Sequence, residues 1–356
     1  RDGLVTGVQT CALPISKYLD FLTDRIVDSV RMAVARPEPA RIAVGFGRED
    51  SLVFNRRFYM KPGKMPPNPF GGIDRVKMNP GVGNPDIVKE AGPVDPIVGL
   101  LAVVNAAGAP LAMLGNYSLH YVGGERGGEV SADYFGYWAA AMARHASADS
   151  RFVAILSNGC QGDINNVDVR NPAPRLPPYK KMEAVAGTLA AECARVMKGL
   201  KFTGEAELGA SREWVDAGVR LPSVAQVEAA KQAIAGVEPP FRDARHVFAR
   251  ETLIIAREFP KTFKTEVQAL RIGELFIAAV PGEPFVELGL EIRAGLKGRA
   301  VFPIGISNGH AGYVPTVRAH EEGSYETWLA KSSFLDKEAT PLIMEAMKRR
   351  LGMIGA

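Results

Sequence analysis

SADYFGYWAAAMARHASADSRFVAILSNGCQGDIN, residues 131–165, holds a helix, a strand and a glycine turn in succession. Ser131 stands where a helix N-cap belongs, and the residues after it continue as a helix. RFVAILSNG then reads as a buried strand that stops at GCQGDINN. Upstream, VGLLAVVN (98–105) and APLAMLGNYSLHYVGG (109–124) are apolar runs split by a short glycine turn, the pattern of a hairpin of buried strands. RIAVGFGRE (41–49) reads as a further strand. Downstream come a helix at 180–200, and a segment whose Ser223 and Gln226 make a capping box. Two strands around Gly273, a helix at 283–296, a strand at 300–307 and a closing helix at 341–351 follow. Strands alternating with helices predict an α/β fold, and the hairpins predict a mixed β-sheet core layered with helices.

KYLDFLTDRIVDSVRMAVAR (17–36) carries Leu19, Phe21, Leu22, Ile26, Val27, Val30 and Val34 at amphipathic spacing, which predicts a core helix. The Pro- and Gly-rich stretch 61–84 predicts a long surface loop of the kind that often carries function. Residues 5–15, VTGVQTCALPI, read as the translation of a common short-read sequencing adapter. Residues 1–16 are therefore expected to be an adapter-derived artefact, and 17–356 a single domain that lacks its N-terminal part.

The chain has 47% hydrophobic and 23% charged residues, the usage of an ordered globular protein. Its net charge of +4 is spread along the sequence, which predicts no nucleic-acid partner. No apolar run reaches the length of a transmembrane helix. Outside the adapter-like segment the cysteines are Cys160 and Cys193, which form neither a disulfide framework nor a CxxC motif. HExxH, GxSxG and P-loop motifs are absent from the sequence.

Polar residues gather where the apolar runs stop. These are His120, Asp163 with Asn165 and Asn166, Glu283, and the loop from Asn308 to Tyr313. Four such loops meeting at one end of a sheet would form a pocket. Taken singly, each has a plainer reading. His120 fits a hydrogen-bonded histidine at a strand end, Glu283 a carboxylate at a helix N-terminus, and Tyr313 a half-buried aromatic. The glycines of GCQGD fit a tight turn as well as an anion cradle. His310 and His320 flank the Tyr313 loop and stay in reserve, while His145 and His246 fall on solvated patterns.

In order along the chain, NRR (55–57), GPVDP (92–96), NYSLHYVGG (116–124), SADYFGYW (131–138), SNGCQGDIN (157–165), FIAAVPGE (276–283) and GISNGHAGYVPT (305–316) resemble the catalytic domain of the neutral/alkaline, non-lysosomal ceramidases and their bacterial relatives. The resemblance implies a zinc-dependent hydrolase of an N-acyl amide in which metal-bound water is the nucleophile. It implies His120, Glu283 and Tyr313 as zinc ligands, Arg56 and Tyr325 at the substrate carbonyl, and Asp163 and Asn165 in the adjoining loop. A lipid substrate would bring contact with a membrane surface, and the family's habit of export implies a periplasmic or secreted location.

Two departures qualify what the resemblance implies. The family's first zinc histidine and its acid/base histidine lie in a His-x-His motif just upstream of the helix at 17–36, where this chain has the adapter-like segment. On that reading the chain binds zinc poorly and turns over little. Asn165 stands where ceramidases have a serine; an amide can donate a hydrogen bond but cannot act as a nucleophile. Two further readings therefore stand beside the amidohydrolase: a non-catalytic lipid- or glycan-binding domain on the same fold, and a metal-dependent esterase.

Overall fold

The computed structural model describes residues 6–355, with side chains for residues 17–355, so residues 1–5 of the adapter-like segment lie outside the described residues. Eight strands form two four-stranded sheets. The first contains β1 (Ala40–Arg48), β2 (Ile97–Asn105), β3 (Pro110–Tyr117) and β4 (Val153–Asn158), and the second β5 (Leu208–Gly218), β6 (Thr262–Ile272), β7 (Leu275–Ala279) and β8 (Ala300–Ile304). The helices are α1 (Thr6–Ala35), α2 (Asp133–His145), α3 (Lys180–Met197), α4 (Val224–Ile234), α5 (Ala244–Glu258), α6 (Val286–Gly295), α7 (Val317–Glu322) and α8 (Ala339–Met353). The mixed-sheet expectation is met twice. The spatial orders are β1-β2-β3-β4 and β5-β6-β7-β8, and in each sheet the first three strands are antiparallel while the fourth joins in parallel.

The sheets pack face to face. Leu101 of β2, Leu275 and Ile277 of β7 and Phe302 of β8 form the layer between them, flanked by Ile42, Val44, Leu114 and Leu270. The period of two in a strand sends the alternate residues outward. Val98, Leu100, Ala102 and Met113 therefore meet α2 and α3, and Phe276, Ala278 and Val301 meet α6 and α8. Four layers result, helix, sheet, sheet, helix, with a core on each side of both sheets.

No sequence repeat announces it, yet the two halves share one topology. In each, a hairpin leads through a loop and a helix into the parallel fourth strand: β2-β3-α2-β4 and β6-β7-α6-β8. His120 lies just past β3 and Glu283 just past β7, so the two occupy corresponding places in the halves.

Three sequence expectations need correction or refinement. The helix at 17–36 forms, but it is not a core helix: Phe21, Ile26, Val30 and Val34 are all exposed, Val34 at 73%, because no described element packs across that stripe. Ser131 is not the N-cap of α2. Ala132 holds that place without a side-chain cap, and Ser131 Oγ instead accepts from the backbone N–H of Asp133. The surface loop at 61–84 also contains a short strand, Val76–Met78, which pairs with Arg57–Met60. The capping box at Ser223 and Gln226 forms with both of its arms.

Phe302 is fully buried at the centre of the layer between the sheets. Phe302→Ala is expected to cost about 3–5 kcal/mol, read as a lower urea midpoint with an unchanged slope.

Candidate functional site

Parallel pairing of β3 with β4 and of β7 with β8 directs the C-terminal ends of all four strands to their following loops, the usual setting for an α/β site. The loops are then tied together by their backbones. Gly162 N–H donates to Pro284 O at 2.8 Å, Glu283 N–H to Gly312 O at 2.8 Å, and Arg56 N–H to Asp163 O at 2.9 Å. Glu283–Pro284 forms a short parallel pair with Tyr313–Val314, and Phe54–Asn55 an antiparallel one with Ile164–Asn165. The approach is too close for most residues. A Cβ on Gly162 would come within 2.4 Å of Glu283 O, and one on Gly282, whose φ is +63°, within 2.2 Å of Gly312 O.

The side chains converge accordingly. His120 Nδ1 lies 3.7 Å from Glu283 Oε2 and contacts Gln161 Oε1, while its ring packs beside Tyr121 with centroids 4.7 Å apart. The Glu283 carboxylate lies beside the Tyr313 phenol. Arg56 Nη2 donates to Tyr313 Oη at 3.1 Å and to Gly162 O at 2.8 Å. Tyr325 meets the ring of Tyr313 edge-on, with centroids 6.0 Å apart. Thus His120, Glu283, Tyr313, Arg56 and Tyr325 are brought together.

Asp163 and Asn165 hold the scaffold. Asp163 is fully buried, with Oδ1 accepting from the N–H of Val286 at the start of α6 and Oδ2 accepting from Asn55 Nδ2 at 2.9 Å. Asn165 donates to Asn79 Oδ1 at 2.8 Å and accepts from the N–H of Val167, so both ends of its amide are engaged away from His120. Of the reserve histidines, His310 Nδ1 accepts from the N–H of Gly312, and His320 lies among Arg220, Arg57 and Lys337 with Nε2 lacking a partner among the described residues.

Sequence reasoning passed over three residues that organise the site. Glu326 is wholly buried, accepting from Arg56 Nε at 2.8 Å on one oxygen and from Arg57 Nη1 at 2.9 Å on the other. Arg57, almost as buried, also lies 3.5 Å from Glu322 and stacks over Phe285. Gln161 is the third. The NRR stretch drew attention to Arg56 and not to Arg57, and no pattern in GSYETW marks Glu326.

Burial sets the electrostatics. It lowers His120 to about 4, with the charge of Arg56 adding to the effect, so the imidazole is neutral at pH 7. It raises Glu283, against the attraction of Arg56, and raises Asp163 to about 6 against its hydrogen bonds from Val286 and Asn55. Burial also raises Tyr313. For Arg56 burial opposes the charge, but Glu326 and Tyr313 outweigh it and the guanidinium stays charged.

Two mixed sheets between helical layers, with an acid, a histidine, two tyrosines and an arginine at the joined C-terminal ends, define a four-layer α/β scaffold carrying a polar site. No protein-family model and no curated protein matches the chain in sequence. In structure it is similar to neutral ceramidase from Pseudomonas aeruginosa, with a TM-score of 0.64 and 19% identity over 93% of this chain and 55% of that one. It is also similar to a ceramidase complexed with C2, with a TM-score of 0.59 and 16% identity over 90% of this chain and 54% of that one. The chain spans about half the length of these proteins. The resemblance read from the motifs therefore holds at the level of the fold.

Removing the carboxylate between the two arginines leaves two buried charges without their main partner. Glu326→Ala is expected to cost about 3–5 kcal/mol, measured by denaturant unfolding. His320, lowered to about 4 chiefly by burial and then by Arg220, tests a pH effect. A histidine depressed in the folded state contributes stability above its unfolded value near 6.5, and loses it as the pH falls through about 4. The stability difference between wild type and His320→Gln is therefore expected to be largest above pH 6.5 and to shrink steadily towards pH 4, as followed by urea midpoints across that range.

Proposed function

We propose that this chain carries zinc-binding and carbonyl-binding residues of a zinc-dependent hydrolase that cleaves an N-acyl amide, with a lipid as the acyl-bearing substrate. The observation that carries the reading is the meeting of His120, Glu283 and Tyr313, drawn from three loops, beside a buried and charged Arg56. The fold shared with two ceramidases supports the choice of amide and lipid.

The donors fit the metal in kind. One nitrogen and two oxygens suit zinc, and the resemblance implies one further histidine that these three residues do not supply. Among the described residues no group of three or more His, Cys, Asp and Glu is placed to hold a metal, since the third donor here is the phenol oxygen of Tyr313. Neutral His120 has a lone pair to give, and Glu283 and Tyr313 are both raised by burial, a cost that a bound cation would relieve. Zinc held by these residues would supply a water whose pKa falls towards about 7.

The chain's own groups account for the remaining roles. Arg56 is fixed through Nε and Nη2, and its Nη1 has no partner among the described residues, so Nη1 is the donor left for the substrate carbonyl as it gains negative charge. The Tyr325 phenol, packed on Tyr313, is the second donor on that side. Asp163 holds Asn55, the strand end and the α6 N-terminus in register, and Asn165 holds the loop against Asn79. Neither acts on the substrate.

The chain is expected to take up one zinc per molecule with an affinity below that of a closed four-ligand site, and to lose it in His120→Ala and Glu283→Ala. Equilibrium dialysis with metal analysis measures this. Arg56→Ala is expected to retain the metal while lowering hydrolysis of a fluorogenic N-acyl amide at saturating zinc by about 100-fold or more. Wild-type protein without bound zinc would sink the proposal. Lipid binding without turnover would then favour a binding domain on the same fold.

A further inference from the structure

Gln161 occupies a position that calls for explanation. It is fully buried, in a turn where four backbone hydrogen bonds leave it little freedom: Gly159 N–H to Tyr117 O, Ile164 N–H to Gln161 O, Gly162 N–H to Pro284 O and Arg56 N–H to Asp163 O. Its side-chain oxygen contacts His120 Nδ1, and its side-chain nitrogen has no partner among the described residues. A buried donor left unpaired is costly, so the contact made by the other end of the amide must be the reason the side chain sits there.

We propose that Gln161 is the positioning residue for His120: its Oε1 holds a proton on Nδ1, so that Nε2 presents the ring's only lone pair. This rests on the reading of His120 as a zinc ligand. A neutral imidazole has one N–H and one lone pair, and the hydrogen bond made by one nitrogen decides the role of the other. Gln161 Oε1 is the acceptor in contact with Nδ1, while Glu283 Oε2 lies 3.7 Å from it, beyond hydrogen-bond length. The opposite orientation of the amide would donate one N–H to a bare Nδ1, place the ring's proton on Nε2 and leave the amide oxygen buried without a donor.

The choice of an amide over a carboxylate follows from the surroundings. Metal-binding histidines commonly donate their second N–H to a carboxylate or a carbonyl. Here Glu283 already stands beside the ring, and Asp163 is buried two residues from Gln161. A third carboxylate would add a like charge to a site whose acids are already raised by burial. Gln161 supplies the acceptor without the charge.

The test is the tautomer of His120, read at neutral pH without metal by long-range proton–nitrogen NMR on 15N-histidine-labelled full chain. Wild type is expected to show Nδ1 protonated and Nε2 bare. Gln161→Met, of similar length but without an acceptor, is expected to lose that signature while the other histidine signals stay in place. Gln161→Glu, which restores an acceptor, is expected to keep Nδ1 protonated, and it decides the matter if the methionine variant fails to fold. Wild type with the proton on Nε2, an unchanged tautomer in Gln161→Met, or a bare Nδ1 in Gln161→Glu would each overturn the proposal.

Zinc titration of the same samples separates this inference from the functional reading. Gln161→Met is expected to bind zinc about 10- to 100-fold more weakly than wild type, and equal affinity would also overturn the proposal. If the tautomers behave as expected but wild type takes up no zinc, the hydrogen bond stands and His120 loses its place as a ligand.

Discussion

The whole site hangs on one buried carboxylate. Glu326 has no exposed surface and accepts hydrogen bonds from two guanidiniums, one on each oxygen. Isolated burial of any of these charges would be prohibitive, and the arrangement persists because each partner is hydrogen-bonded as well as paired. Arg57 turns inward, to Phe285 and the carbonyl of Ala319, and links the Glu326 segment to the starts of α6 and α7. Arg56 turns towards the site, to Gly162 and Tyr313. A single acid therefore ties the loop after β4, the loop after β8 and the strand at Arg57–Met60 into one rigid wall.

That wall closes a junction set by topology. Each half of the chain runs through a hairpin, a loop, a helix and a parallel strand, and the loops after the third and fourth strands of both halves meet. His120 and Glu283 come from corresponding loops, as do Gln161 and Tyr313. Neither half holds the set alone. Gly162 and Gly282 mark the cost of the meeting, since side chains there would collide with the backbone of the other loop.

How much of this could be read beforehand depended on range. Strands such as Val153–Asn158, helices such as Lys180–Met197 and the cap at Ser223 are set by local apolar period and by neighbouring side chains, and all were legible. The loops bearing His120, Asp163, Glu283 and Tyr313 were legible as places where apolar runs end in polar residues. The split into two sheets was not, because alternation shows that a strand has two faces but not what covers each. The same limit explains α1, whose spacing predicts a helix with one apolar face and cannot show whether anything lies against it. Glu326 and Gln161 escaped because their partners lie 270 and 41 residues away, and nothing in their own neighbourhoods sets them apart.

The roles of Asp163 and Asn165 show how placement revises what a motif implies. Both stand in a stretch that the resemblance places at the reaction, and both are polar residues beside a glycine turn. Asp163 is fully committed to Asn55 and the N-terminus of α6, and burial raises it so far that further charge would be hard to bear. Asn165 has spent its amide on Asn79 and Val167. The groups that keep something in hand are the lone pair of neutral His120, the oxygens of Glu283 and Tyr313, and Arg56 Nη1, which has no partner among the described residues. The charge of Arg56 is already shared with Glu326. A half-buried acid and a buried phenol beside an imidazole lone pair, with the nearby cation committed elsewhere, leave one nitrogen and two oxygen donors that a cation could take up. That donor set, beyond the likeness of fold, is the physical basis of the zinc proposal.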